Sequence, residues 1–194
     1  MRLLMIGAPG AGKGTQAVRV AEHFGVTHIS SGDLLRDHVR RETAIGRTVK
    51  KYIERGDLVP DAVVLDMLRK PVVAASEAGG YVLDGFPRTV AQAETAYGTA
   101  KGLGVSVQIA CYLDVPHDDL IGRMLARSRG VEDTRDVIER RLKVYEEQTV
   151  PLIDYYRDRE RLVTVNGAAP VEQVTWSLLV QIDRTRKAIE KANR

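Results

Sequence analysis

The segment that most restricts how this chain can fold is Gly7-Ala8-Pro9-Gly10-Ala11-Gly12-Lys13-Gly14-Thr15. It follows an apolar run of strand length, Leu3 to Ile6, and opens onto a helical pattern. In that pattern, Lys13 to Phe24, the apolar residues Ala17, Val20, Ala21 and Phe24 fall at i, i+3, i+4 and i+7, and Gly25 is the stop. Glycines let the backbone turn and turn successive N–H groups inward, and the helix N-terminus adds its dipole, so strand, loop and helix in this order make a cradle for phosphate. Lys13 adds a point charge to the cradle. The usual pattern has a hydroxyl residue directly after the lysine; here Gly14 stands there and Thr15 follows.

The rest of the chain alternates short apolar runs with amphipathic stretches. Strands are expected at Thr27–Ile29, Tyr81–Leu83, Val107–Leu113 and Leu162–Val165. Helices are expected at Leu34–Arg41, at Ala44–Arg55 closed by Gly56, and from Asp61 to about Ser76 with Pro71 kinking or interrupting it. Further helices are expected at Thr89–Leu103, after Pro116, from Asp133 or Thr134 to a break at Pro151, and from Pro170 to about Asn193 with a basic, solvated end. Five short apolar strands separated by helices predict an α/β fold, a five-stranded parallel sheet with helices on both faces. Residues 31–73 hold several helices and no strand, and read as a helical insert on the core.

Composition narrows the class. In 194 residues the net charge is only +3, too small to imply a nucleic-acid partner. No apolar stretch reaches membrane-spanning length and no signal peptide is evident, so a cytoplasmic protein without a membrane partner is expected. Cys111 is the single cysteine, which excludes a disulfide framework and a zinc site built from several cysteines; it lies in an apolar run and reads as a small buried hydrophobe.

Several polar residues sit where an α/β ligand would bind. Asp84 ends the third strand, where a carboxylate faces the crevice and can hold magnesium through water. Arg88 follows in a turn and suits bidentate phosphate binding, with an Asp84–Arg88 ion pair as the alternative. Ser30-Ser31-Gly32-Asp33-Leu34-Leu35-Arg36 offers hydroxyls, an arginine and, in Asp33, a second carboxylate for magnesium; a helix N-cap accounts for one serine. At about 100° per residue, Arg141 falls among Val137, Ile138, Leu142 and Tyr145, while Arg140 points away. An inward guanidinium requires an anion, either an inward Asp or Glu or a ligand phosphate. Arg123 and Arg127 flank the apolar face of the helix after Pro116 and read equally as a solvated pair or as ligands.

Taken together, these segments resemble the adenylate kinase family of nucleoside monophosphate kinases. The resemblance runs through nearly the whole chain: the glycine loop, Ser31 to Arg36, Asp84-Gly85-Phe86-Pro87-Arg88 with Gln92, Arg123 with Arg127, Arg141-Leu142 and Asn166-Gly167. It implies a single phosphate-loop kinase domain, with a core at 1–30, 74–128 and 134–194, a monophosphate-binding insert at 31–73 and a short lid at 129–133. It implies that Gly10, Ala11, Gly12, Lys13, Gly14 and Thr15 hold the ATP phosphates, that Arg123 and Gly167 meet the ATP base, and that Arg127 also binds ATP. It implies an AMP site of Ser31, Arg36, Asp57, Leu58, Val59, Gly85, Phe86, Pro87, Arg88, Gln92, Arg129 and Arg141. Lys13, Arg88, Arg123, Arg127 and Arg141 would carry the chemistry.

The expected reaction is reversible transfer from MgATP to AMP giving two ADP, in a monomer with magnesium and without zinc. Two departures from the family pattern stand out: Ser31 replaces a threonine, and Arg129 is offset from the lid arginine that normally precedes the acidic pair. The alternatives are a UMP/CMP kinase and an inactive nucleotide-binding protein. A GTP-binding switch is disfavoured because neither Asn166 nor Asn193 precedes a lysine, as the guanine motif requires.

Overall fold

The structure is a computed structural model that describes residues 1–127, 129–159 and 161–192. Strands β1 (Arg2–Gly7), β2 (Thr27–Ser30), β3 (Tyr81–Asp84), β4 (Ile109–Asp114) and β5 (Leu162–Asn166) form one parallel sheet in the order β2-β3-β1-β4-β5. Side chains alternate across a strand, so a sheet covered on both faces needs apolar residues at every position. β1 shows this directly. Leu3 and Met5 join a core beneath α1 (Lys13–Phe24) and α9 (Val171–Ala192), whereas Leu4 and Ile6 join a core on the opposite face. Cys111 lies in the first core, and burial pushes its thiol up to about 12, in keeping with a packing role.

Helix α1 runs over the expected residues and ends at Gly25 in the left-handed conformation. Three expectations are corrected. The helix expected from Leu34 starts earlier: α2 spans Ser31–Arg40 because Ser30, not Ser31, is the cap, its Oγ accepting from the Asp33 N–H at 3.1 Å. The helix α4 (Asp61–Glu77) continues through Pro71, so of the two outcomes expected there, a kink or an interruption, the interruption does not occur. The break expected at Pro151 is absent as well. Helix α7 (Arg135–Val144) passes through a π turn, Tyr145–Thr149, directly into α8 (Pro151–Arg157), and the Val150 N–H bonds back five residues to Tyr145 O. The wider turn shifts the hydrogen-bond frame just ahead of a residue that has no N–H to donate.

Helices α2, α3 (Ala44–Arg55) and α4 form the segment between β2 and β3. Helix α5 (Val90–Gly102) follows β3, and α6 (His117–Arg127) follows β4. A single 3-10 turn, Gly130–Asp133, joins the α6 region to α7. Ser128, in the expected lid approach, and Asn193, at the expected end of α9, lie outside the described residues. No helix among the described residues is long and apolar enough to cross a membrane.

Register places the chemistry on one edge. Ser30 at the end of β2 pairs with Asp84 at the end of β3, Met5 of β1 pairs with the same Asp84, and Asp114 of β4 pairs with Asn166 of β5. The glycine loop, the start of α2, Gly85–Arg88 and Gly167 therefore all leave the carboxyl ends of parallel strands, where α/β folds bind ligands.

Candidate active site

The loop after β1 is held by its own backbone. The Ala11 N–H donates to Ala8 O at 3.1 Å, so Ala11 is buried beneath the turn rather than facing the cleft. Gly10 has φ of 86°, and a Cβ there would lie 2.9 Å from Leu120 O of α6, so the turn and the close helix both require glycine. Lys13 Nζ donates to Gly7 O at 2.9 Å and Ala8 O at 3.0 Å. An ammonium has three donors, so one remains for a phosphate. Burial is the main influence on Lys13 and brings its pKa down to about 8; Asp84 opposes the fall, while Arg88, Arg141 and Arg127 add to it.

Beyond the loop lies a cleft of about 300 Å³. Its wall includes Gly10, Gly12, Lys13, Gly14 and Thr15 of the loop. It also includes seven cationic side chains (Lys13, Arg36, Arg88, Arg123, Arg127, Arg129 and Arg141) against two carboxylates, Asp33 and Asp84. These arginines come from α2, the turn after β3, α6, the 3-10 approach and α7. So large a local excess of positive charge is unfavourable unless polyanionic ligands enter. Lys13, Arg88, Arg127 and Arg141, far apart in sequence, therefore meet around one space.

Most of these arginines are held by side-chain bonds. Arg127 grips Asp133 with two bonds, 2.5 Å and 3.1 Å, and Asp133 also accepts from the Arg129 backbone N–H at 2.7 Å. Burial pushes the Asp133 carboxyl up, but these bonds outweigh it and hold its pKa below the usual value. Arg141 lies 3.6 Å from Glu132 and 3.8 Å from Asp133, and it donates to Glu132 O. The inward Arg141 thus has the carboxylate partners that its helical position called for, Glu132 and Asp133, and it also lines the cleft. Burial dominates its pKa, which falls to about 10 despite Glu132, leaving it cationic at neutral pH. Arg88 is likewise lowered by burial first, and its Nε donates to Gly85 O.

Asp84 makes no ion pair with Arg88 among the described residues, which removes the structural alternative for that pair. Its Oδ1 is buried with no hydrogen-bond partner among the described residues. An orphaned carboxylate oxygen beside a phosphate loop fits a hydrated magnesium, which keeps most of its waters and takes few protein ligands. Asp33 is placed differently: it is more exposed and pairs with Arg36 at 2.5 Å. Among the described residues no three of His, Cys, Asp and Glu gather into a metal cluster. Arg123 Nη1 donates to Gly167 O at 3.1 Å, joining the two residues expected at the ATP base.

A second chamber, about 70 Å³, is lined by Ser31, Arg36, Asp57, Leu58, Val59, Gly85, Phe86, Arg88, Gln92 and Arg141. It shares Gly32, Arg36, Gly85, Arg88 and Arg141 with the larger cleft, so its cationic end opens toward the phosphate loop. Gly85 has φ of 84°, and a Cβ there would meet Ser31 Oγ at 2.6 Å. Two residues expected with this group stand elsewhere. Pro87 faces a separate space of about 70 Å³ beside Lys13 and Arg88 as well as an apolar groove, and Arg129 lines only the larger cleft. The chamber also has residues that sequence reasoning missed: Ile53, Gly56, Val64 and Glu132. Glu132 was legible only as part of an acidic pair; its position between Arg36, at 3.5 Å, and Arg141 needs the tertiary fold. Asp57 accepts from Arg140 at 2.9 Å, so a charge pair links the α3–α4 connection to α7.

Comparison with known proteins agrees with this geometry. The family model described as adenylate kinase matches residues 5–161. The chain belongs to the adenylate kinase family. It is 45% identical over 184 residues to the adenylate kinase of Rhodococcus erythropolis, covering 95% of this chain and all of that protein. It is 41% identical over 186 residues to that of Kocuria rhizophila (94% and 99% covered) and 43% identical over 177 residues to adenylate kinase 1 of a Nostoc species (91% and 96% covered). The family match spans the glycine loop, the α2–α4 segment, Asp84 to Arg88 and the paired arginines of α6 and α7.

Proposed function

We infer that this chain catalyses reversible phosphoryl transfer from ATP to AMP, giving two ADP. The observation that carries the reading is the convergence of Lys13, Arg88, Arg127 and Arg141 on one cleft that opens into the Ser31–Gln92 chamber. Neither an inactive binding protein nor a switch has a use for so many inward cations shared between two connected compartments.

In the proposed mechanism ATP lays its phosphates along the N–H groups of the Gly10–Thr15 loop other than that of Ala11, with Lys13 offering its remaining donor. Arg123 and Gly167 border the ATP base. AMP enters the smaller chamber, with its base toward Leu58, Val59 and Gln92 and its phosphate toward Arg36, Arg88 and Arg141. The AMP phosphate is already anionic, so no protein nucleophile or general base is required. Catalysis consists of in-line positioning and stabilisation of charge on the transferring group by Lys13, Arg88, Arg127 and Arg141. Magnesium, held through water by Asp84 with Asp33 near the cleft wall, would neutralise charge shared between the phosphates. The Arg36–Glu132 and Asp57–Arg140 pairs bring the α2–α4 insert against the 129–133 lid and α7, and closure of these parts excludes water that would otherwise hydrolyse ATP. Arg129, though offset, reaches the cleft and serves as the lid's cation. The enzyme works as a monomer in the cytoplasm, without nucleic-acid or membrane partners.

A coupled ADP-formation assay with a panel of monophosphates tests the reading. AMP should be the preferred acceptor. Faster turnover with UMP or CMP would move the chain to the pyrimidine class, and no turnover with any acceptor would reduce it to a binding protein.

A further inference from the structure

Gln92 and Ser31 are uncharged polar side chains of the smaller chamber, and Gln92 is 3% exposed. Both ends of the Gln92 amide are already engaged. The Arg88 backbone N–H donates to Oε1 at 2.7 Å, and Nε2 donates to Asp61 Oδ1 at 2.6 Å. These partners are chemically one-way. A backbone N–H can only donate, and a carboxylate can only accept. Rotating the amide by half a turn would set NH₂ against N–H and oxygen against carboxylate, losing both bonds and replacing them with repulsion. The orientation of Gln92 is therefore fixed before any ligand enters.

We propose that Asp61 is a positioning residue that sets base specificity by locking the Gln92 amide against rotation. The proposal rests on the reading that Gln92 faces the monophosphate's base. With one N–H and one carbonyl lone pair committed, the amide has one N–H and one lone pair left. Adenine presents a ring-nitrogen acceptor beside an amino donor, and a fixed donor–acceptor pair can match it. Hypoxanthine presents the reverse, a ring N–H beside a carbonyl, and would require the rotated amide. The lock turns a side chain that could serve either edge into one that selects bases carrying an amino group there, and it rejects the oxo base by leaving buried polar groups unpaired.

Asp61 is well placed for this. It is the first residue of α4, preceded by Pro60, while Gln92 lies in the first turn of α5, its backbone N–H capped by Thr89 Oγ1 at 3.1 Å. Two helix starts thus hold the carboxylate and the amide face to face.

The test compares kcat/KM for AMP and for IMP, with ATP as donor, in the wild type, Asp61→Asn and Gln92→Ala. Asparagine keeps the shape of Asp61 but can accept or donate, so the amide loses one of its two one-way partners and turning then costs only the bond from the Arg88 N–H. The lock predicts that Asp61→Asn lowers the AMP-to-IMP ratio about tenfold, partly through a gain in IMP turnover, with KM for ATP unchanged. Gln92→Ala should collapse the same ratio. If Gln92→Ala collapses it while Asp61→Asn keeps the wild-type ratio, or loses AMP and IMP turnover equally, the lock is overturned and the base site stands. If Gln92→Ala leaves the ratio untouched, Gln92 does not read the base, and the lock falls with that reading.

Discussion

Two cavities of similar size lie in this molecule, and they differ in almost every other respect. One, about 390 Å³, is an apolar groove between α4, α5 and α8, walled by residues such as Leu65, Val72, Ala96, Tyr97, Leu103 and Tyr155. The other, about 300 Å³, is the cleft above the phosphate loop, walled by seven cations and two carboxylates. The groove is the place where helices meet without completely filling the space between them; its arginines sit at the edge, Arg159 stacked 3.6 Å over Tyr155 and Arg161 donating to Val107 O. The cleft holds seven cations against the carboxylates of Asp33, Asp84, Glu132 and Asp133, so part of its positive charge has no internal partner among the described residues. The contrast teaches that apolar volume is a weak guide to chemistry here, and uncompensated buried charge a strong one.

The sharpest way to break the contrast is to remove a cleft cation. Lys13→Met, Arg88→Ala or Arg141→Ala should each fold and lose turnover by roughly a hundredfold to a thousandfold, on the order of 3–4 kcal/mol of transition-state stabilisation. Near-normal rates in both arginine variants would deny the cleft its role. Next in size is Asp133→Asn, which leaves the Arg127 charge without the anion that aims it. Glu132 still holds Arg141, so the loss falls on Arg127, and steady-state kinetics should show kcat down by about tenfold, with KM for AMP less affected.

A smaller effect comes from pH. The Lys13 pKa, lowered to about 8 from 10.5, makes its charge available below about 8 and progressively absent above it. KM for ATP should therefore climb above pH 8, by at most about tenfold per unit, and nucleotide binding near pH 8 should take up a proton detectable by calorimetry in buffers of different ionisation enthalpy. In the free protein the unfolded chain holds this proton more tightly, so stability should rise between about pH 8 and 10.5, and Lys13→Met should flatten that rise. The smallest effect belongs to the groove. Leu103→Ser, at an exposed position on its wall, should leave kcat and both KM values within about twofold of wild type.

How much of this could be read beforehand depended on range. Helix α1 is local: its apolar spacing and Gly25 stop name both ends. The two-faced burial of β1 is also local, because every residue from Leu3 to Ile6 is apolar. The start of α2 was harder, since adjacent serines both suit a cap and only the bond from Asp33 N–H distinguishes Ser30. The π turn ahead of Pro151 offered no signal, because a proline marks a break or an N1 position equally well. In the site, the cations were legible as types in positions, Arg141 above all, as a charge on an apolar helix face. Their partners were not. Glu132, Asp133 and Asp61 are ordinary acidic residues in sequence and acquire meaning only when α2, α5 and α7 bring Arg36, Gln92 and Arg141 to them.

The most direct test of the convergence is a crystal structure with a bisubstrate inhibitor, two adenosines joined by a chain of phosphates. The account predicts that Lys13 Nζ and the guanidinium groups of Arg88, Arg127 and Arg141 all lie within hydrogen-bonding reach of that one chain, with an adenine beside Gln92. A phosphate chain that leaves two or more of these four cations facing solvent, or that lies away from the loop after β1, would contradict it.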